Sequence, residues 1–272
     1  MSPQPRKRFA QHWLRDEKIL FQIVSAADLL PSDRILEIGP GKGILTRQIL
    51  PYVQSVTAVE IDRDLCKQLR RQFRDTDNFH LLQGDILDLD LAQHFATLPE
   101  PFQHPNKVVA NIPYNITGPI LEKLLGTIAQ PTSLSLDRIV LLVQKEIADR
   151  LSATPGSKVF GALSVRVQYL AECQAIVRVP AKAFYPPPKV DSQVVRLFPR
   201  AIDPPAENPK FLEHLINLGF ASKRKMLRNN LKGAIDRDRL IDILEQLDLD
   251  PKVRAEDVGV SDWIEICNRL AK

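Results

Sequence analysis

Glu37-Ile38-Gly39-Pro40-Gly41-Lys42-Gly43 places three glycines at alternate positions directly after an apolar run, 34–38. Glycine permits positive φ and lets a ligand approach the backbone closely. The carboxyl end of a parallel strand is where open α/β sheets hold ligands. A tight turn that binds nothing would use the same residues. Glu60 ends the next apolar run, 21 residues after Gly39. There a carboxylate can accept both hydroxyls of a ribose; a solvated residue opening a helix is the alternative. Gly84-Asp85 follows a third run, and Asp85 can accept from an adenine amino group or cap a helix. Such residues after three successive strands point to one nucleotide-like ligand. A dinucleotide asks for G-x-G-x-x-G. This turn reads G-x-G-x-G, with Ile44 where the third glycine would fall. Glu37 would repel a pyrophosphate but suits the cationic end of S-adenosyl-L-methionine. The expected cofactor is therefore S-adenosyl-L-methionine, held at Gly39, Glu60 and Asp85.

The fourth apolar run, 107–110, leads into Asn111-Ile112-Pro113-Tyr114. The exocyclic amine of a nucleobase is a poor nucleophile because its lone pair is delocalised into the ring. Acceptors for its N–H groups make the nitrogen more pyramidal and more nucleophilic. The Asn111 side-chain oxygen and the Ile112 carbonyl can do this. Pro113 sets the turn that makes them converge, and Tyr114 offers a face for the base. No strong general base is required, since the proton becomes acidic once the nitrogen is alkylated. An Asx turn leaving a strand is the plain alternative.

The elements that must position these groups follow from periodicity. Segments 34–38, 55–60, 78–82, 107–110 and 138–143 read as buried strands, and 43–50, 63–73 and 117–125 carry helical spacing. Segment 162–170 fits neither period. Segments 175–179 and 193–198 read as further strands, an antiparallel pair around Pro186-Pro187-Pro188. Strands alternating with helices predict an α/β fold, a doubly wound, mostly parallel Rossmann-like sheet. Segment 201–209 is rich in Pro and polar residues and reads as a linker. Segment 210–272 contains helical patterns only and predicts a small C-terminal all-helical domain. The expected division is thus 1–200, a linker, and 210–272.

These motifs resemble the ribosomal RNA adenine dimethyltransferases of the KsgA/RsmA type, which share a catalytic domain with the Erm resistance enzymes. The resemblance runs from Lys7-Arg8-Phe9-Ala10-Gln11-His12-Trp13-Leu14, close to the family's F-G-Q-N-F-L, through the motifs above. It continues at Ala183-Phe184-Tyr185-Pro186-Pro187-Pro188-Lys189-Val190-Asp191-Ser192 and ends at Lys223-Arg224-Lys225-Met226-Leu227-Arg228-Asn229-Asn230-Leu231. It implies cofactor contacts at His12, Leu14, Gly39, Glu60, Asp85 and Asn111. It implies transfer of two methyls to N6 of each of two adjacent adenosines in the 3′-terminal hairpin of small-subunit rRNA. It also implies that Phe184 sandwiches the target base opposite Tyr114. Ala10 replaces the usual glycine and His12 the more frequent asparagine.

Charge is distributed unevenly although the net value is only +4. Segment 222–232 holds five bases and no acid, whereas 236–265 holds ten acids and four bases. On a helical wheel Arg224, Lys225, Arg228 and Lys232 share one arc, with Ser222 as N-cap and Gly233 as stop. That predicts an RNA-binding face; a merely solvated face is the alternative. Arg6-Lys7-Arg8 is a second basic cluster. Hydrophobic residues at 44% and charged residues at 26% exclude a largely disordered chain. No apolar run reaches the ~18 residues of a membrane span. The three cysteines form no metal-ligand spacing, so no metal is expected, and the compartment is expected to be reducing: the cytoplasm, with an organelle matrix as the alternative. The expected partner is small-subunit rRNA within a pre-assembled subunit, with no membrane and a monomeric protein. The competing functions are a non-catalytic RNA- or DNA-binding assembly or transcription factor on the same fold, and a dinucleotide oxidoreductase.

Overall fold

The computed structural model describes residues 11–271; Arg6-Lys7-Arg8 and Ala10 lie outside the described residues. The chain runs β1 (Trp13–Leu14), α1 (Glu17–Ala27), β2 (Arg34–Ile38), α2 (Ile44–Ile49), β3 (Ser55–Glu60), α3 (Arg63–Gln72), β4 (Phe79–Gln83), α4 (Leu91–Thr97), β5 (Lys107–Asn111), α5 (Thr117–Leu125), β6 (Arg138–Gln144), α6 (Lys145–Leu151), α7 (Ala162–Leu170), β7 (Ala171–Val179), β8 (Phe184–Tyr185), β9 (Ser192–Pro199), α8 (Pro209–Gly219), α9 (Leu227–Asn230), α10 (Arg237–Gln246) and α11 (Val260–Leu270). Seven strands form one sheet in the order β4-β3-β2-β5-β6-β9-β7. β2 to β6 pair in parallel and β9 returns antiparallel against β6, so the mostly parallel α/β sheet expected from the sequence is present.

Full burial explains the strand composition. Ile35, Leu36, Val56, Ala58, Val108, Val109 and residues 139–143 are almost completely excluded from solvent, as a sheet covered on both faces requires. The strand order reverses between β2 and β5, which opens a crevice at their carboxyl ends. Helices start on side-chain caps: Asp16 accepts from the N–H groups of Lys18 and Ile19, and Asp62 from that of Asp64.

Contacts divide the chain into two compact units: 1–126, 132–148 and 173–199 form one, and 127–131, 149–172 and 200–272 the other. The second unit therefore reaches back before residue 200. Its α7 is the segment that fits neither period, because Ser164, Val165, Val167, Tyr169 and Leu170 bury it nearly all round. The segment expected to be a linker packs within this unit: the Ala206 N–H donates to the Tyr169 hydroxyl at 3.2 Å and the Glu207 N–H to Asn268 Oδ1 at 2.8 Å.

The basic segment differs from its expectation. No helix spans 222–233; α9 covers Leu227–Asn230 alone. Residues 222–225 form a turn closed by the Lys225 N–H on the Ser222 carbonyl at 3.0 Å, and Met226 bridges to Arg254. Asn230 Nδ2 donates to the carbonyls of Ser222 and Gly219, which satisfies the turn rather than a helix. The shared arc of a helical wheel therefore does not exist here. Arg224, Lys225 and Lys232 are exposed, whereas Arg228 is half-buried and its Nε is sequestered without a hydrogen-bond partner.

Candidate active site

A cleft of about 300 Å³ opens at the carboxyl ends of β2 to β5 within the first unit, walled by Gly39, Gly41, Glu60, Asp85, Asn111 and Tyr114 among others. The glycine turn forms because Gly39, Gly41 and Gly43 all adopt positive φ, at 67°, 59° and 72°. Their reasons differ. The Gly39 N–H donates to the Val59 carbonyl at 2.9 Å, tying the turn to β3. A Cβ on Gly43 would lie 2.7 Å from the Phe73 ring, so that glycine serves the approach of α2 to α3 and does not line the cleft.

Glu60 is nearly buried. Its Oε2 accepts the Gly41 N–H at 3.1 Å and its Oε1 accepts the Asp62 N–H at 2.9 Å. Burial pushes its carboxyl upward in pKa, and these two N–H groups pull back. Each oxygen keeps a second lone pair for a diol. Asp85 does not cap a helix, since Asp90 caps α4; its Oδ1 accepts the Leu87 N–H at 3.0 Å. The apolar walls come from the residue following each strand-end group: Ile61 after Glu60, Ile86 after Asp85 and Ile112 after Asn111, with Ile38 before Gly39. Two carboxylates among isoleucines fit a ribose with an attached purine, and the turn meets the cleft with Gly39 and Gly41, which carry no side chain. The residues present therefore fit S-adenosylmethionine.

Glu37 is the exception among the expected groups. It is 1% exposed, does not line the cleft, and accepts the Thr46 hydroxyl at 2.6 Å. Burial, with the nearby Glu60 carboxylate, pushes its pKa up to about 8. It is a mostly neutral acid anchoring α2, not a counter-charge for a sulfonium.

At the end of β5, Asn111 Nδ2 donates to the His12 carbonyl at 3.1 Å. The amide orientation leaves Oδ1 as an acceptor. His12 Nδ1 lies 2.7 Å from the Pro186 carbonyl; a carbonyl only accepts, so Nδ1 carries the proton and a neutral ring offers Nε2 as acceptor. The His12 and Tyr114 rings stack at 5.9 Å with 20° between planes. The Tyr114 hydroxyl meets Ser192 Oγ at 2.5 Å, and burial pushes its pKa up to about 12. Tyr114 is thus a neutral ring held by its rim.

The structure does not bring Leu14 or Phe184 to the cleft. Both are core residues, Phe184 only 4% exposed. The reason is the two-residue ladder β1–β8, in which Leu14 faces Phe184 and Trp13 faces Tyr185. Directly opposed residues share a face and successive ones alternate, so one pair enters the core and the other does not. Gln11 and Trp13, which the sequence reading leaves out, line the cleft instead. Alternation gives the signal: if Leu14 is core, Trp13 points away from it. Lys42 Nζ lies 4.0 Å from the Trp13 ring centroid.

The sequence model of the family described as ribosomal RNA adenine dimethylase matches residues 3–272. Ribosomal RNA small subunit methyltransferase A of Trichormus variabilis is 63% identical over 267 residues, 98% of each chain. Its namesake in Nostoc punctiforme is 63% identical over 274 residues, 98% of this chain and 96% of that one. A dimethyladenosine transferase from Plasmodium falciparum superposes with a TM-score of 0.76 at 26% identity, covering 94% of this chain and 96% of that one. The 23S rRNA methyltransferase ErmE superposes with a TM-score of 0.73 at 28% identity, covering 96% and 100%.

Proposed function

Since the chain belongs to the ribosomal RNA adenine dimethylase family, we propose that it dimethylates N6 of two adjacent adenosines in the 3′-terminal hairpin of small-subunit rRNA, using S-adenosylmethionine. The observation that carries this reading is the Asn111 amide, turned by the His12 carbonyl so that Oδ1 remains an acceptor in the cleft that also holds Glu60 and Asp85. When bound, S-adenosylmethionine supplies a methyl group on a cationic sulfur that leaves as a neutral thioether. Glu60 would hold the ribose hydroxyls and Asp85 the adenine amine, with Ile61 and Ile86 as apolar walls for the purine. His12 offers Nε2 at the rim.

Asn111 Oδ1 and the Ile112 carbonyl accept from the target amine as its nitrogen becomes tetrahedral. Such preorganised partners act on charge that develops in the transition state. Tyr114 stacks on the base and takes no proton, since its hydroxyl is pushed up to about 12. The nitrogen's proton leaves to solvent after transfer.

The substrate is rRNA within a pre-assembled small subunit, and the protein works as a monomer in a cytoplasm-like compartment. Among the described residues no helix is long and apolar enough to cross a membrane, and none of the His, Cys, Asp and Glu residues cluster as a metal site. Arg224, Lys225 and Lys232 contribute phosphate contacts; half-buried Arg228 contributes less. Incubation with labelled S-adenosylmethionine and undermethylated small subunits, followed by nucleoside mapping, tests the reading. Label in two neighbouring dimethyladenosines is expected; unlabelled rRNA would refute it.

A further inference from the structure

The β1–β8 ladder puts Tyr185 on the face that carries Trp13, a wall of the cleft. Unlike Trp13, Tyr185 is 43% exposed. One face of its ring is already taken: the Arg15 guanidinium carbon lies 4.1 Å from the ring centroid. The next residue in the chain, Pro186, receives His12 Nδ1 on its carbonyl, so the backbone that carries Tyr185 runs along the cleft rim. The surrounding segment is held firmly. Asp191 accepts from Arg178 at 2.7 Å and from the Ala181 N–H at 3.0 Å, and the Lys145 N–H donates to its carbonyl at 3.0 Å. Segment 181–190 carries Lys182 and Lys189, both exposed, and no acid.

A half-exposed aromatic ring backed by a guanidinium, on a segment whose exposed charges are two lysines, matches what binds single-stranded nucleic acid: a stacking face in a basic segment. We propose that Tyr185, with Arg15 behind it and Lys182 and Lys189 on the same segment of chain, is a stacking platform for the nucleotide adjoining the target adenosine in the RNA strand. This rests on the rRNA methyltransferase reading above. The target base itself goes to Tyr114 within the cleft. The neighbour is unstacked when the target is extruded and regains a π partner on Tyr185. Phe184, buried against Leu14, has no free face to offer.

The test compares wild type with Tyr185→Leu and Tyr185→Phe on undermethylated small subunits, and on the same subunits carrying 2-aminopurine beside the target adenosine. Base–aromatic stacking implies a KM for subunits raised roughly 5- to 150-fold in Tyr185→Leu, with kcat changed far less. Tyr185→Phe should match wild type, and both variants should keep wild-type S-adenosylmethionine affinity and melting temperature. Binding should quench the 2-aminopurine in wild type and Tyr185→Phe but not in Tyr185→Leu. Wild-type KM and quenching in Tyr185→Leu, with methyl transfer intact, would overturn the platform and leave the proposed reaction standing. Absence of methyl transfer by the wild type would overturn the reaction, and the platform with it.

Discussion

Replacing Glu37 by glutamine tests whether the acid behind the glycine turn is neutral in the folded protein. In an unfolded chain Glu37 would titrate near its ordinary value of 4.5; burial, the largest cause, raises it to about 8, with the Thr46 hydroxyl pulling down and Glu60 pushing up. The folded state therefore holds the proton more tightly. Stability from this group is fully present below about pH 4.5 and is lost as pH rises towards about 8. The slope within that window is at most about 1.4 kcal/mol per pH unit, an upper limit of about 5 kcal/mol over the whole window. That is comparable to the entire net stability of a marginal domain. A glutamine side chain is close to the same shape, accepts from Thr46 as the carboxyl does, and does not titrate. Melting curves of wild type and Glu37→Gln between pH 5 and 9 should thus converge at the acid end and separate at the alkaline end, the variant being the more stable. At roughly 2–4 °C per kcal/mol for a unit of this size, the gap is easily read. Histidine titration cancels in the difference. Cofactor affinity should be unchanged, because Glu37 does not line the cleft. Parallel melting curves would refute the neutral acid; a large loss of cofactor affinity would restore Glu37 as a binding group.

Asn111→Ala should slow single-turnover methylation by about 10²–10³; near-normal rates would remove Asn111 from the transition state. Glu60→Gln should weaken S-adenosylmethionine binding by about 1.5–3 kcal/mol in calorimetry, and it is a milder probe than Glu60→Ala, because glutamine keeps an acceptor for one of the N–H groups of Gly41 and Asp62 whereas alanine strands both. Equal affinity would void the ribose assignment. Arg224→Ala with Lys225→Ala should flatten the slope of log K for RNA against log salt by about 1.4–1.8, at 0.7–0.9 per phosphate, and leave cofactor affinity alone; an unchanged slope would make them a solvated surface.

Much of the site is legible because strand ends announce themselves. Continuous apolar runs that stop at Gly39, Glu60, Asp85 and Asn111 mark both the parallel sheet and its crevice. What escapes depends on facts that periodicity does not carry. Periodicity misses α1 because exposed Phe21 and half-buried Val24 blur its buried stripe of Ile19, Leu20, Ile23, Ala26 and Ala27. Segment 222–232 has helical spacing of charge, but Asn230 commits its amide to the turn carbonyls, a tertiary choice. The position of Glu37 in the sequence suggests a ligand contact, yet its side chain turns inward to Thr46. Resemblance selects Phe184, and only the pairing with β1 shows which of two adjacent aromatics faces inward.

The two-residue ladder also separates when parts of the site come into being. His12 meets Pro186 across 174 residues of chain, whereas the turn at Gly39 needs only its neighbours through Asn111. During synthesis the floor of the cleft can be complete while its rim has no partner yet to pair with. In the finished protein so short a ladder is held by side-chain packing more than by backbone pairing, and amides near Trp13 and Leu14 should exchange with solvent through local opening, before those of β2, β3 and β5, which await global unfolding. Floor and rim thus have separate stabilities, and the rim can be altered by mutation without drawing on the sheet beneath it.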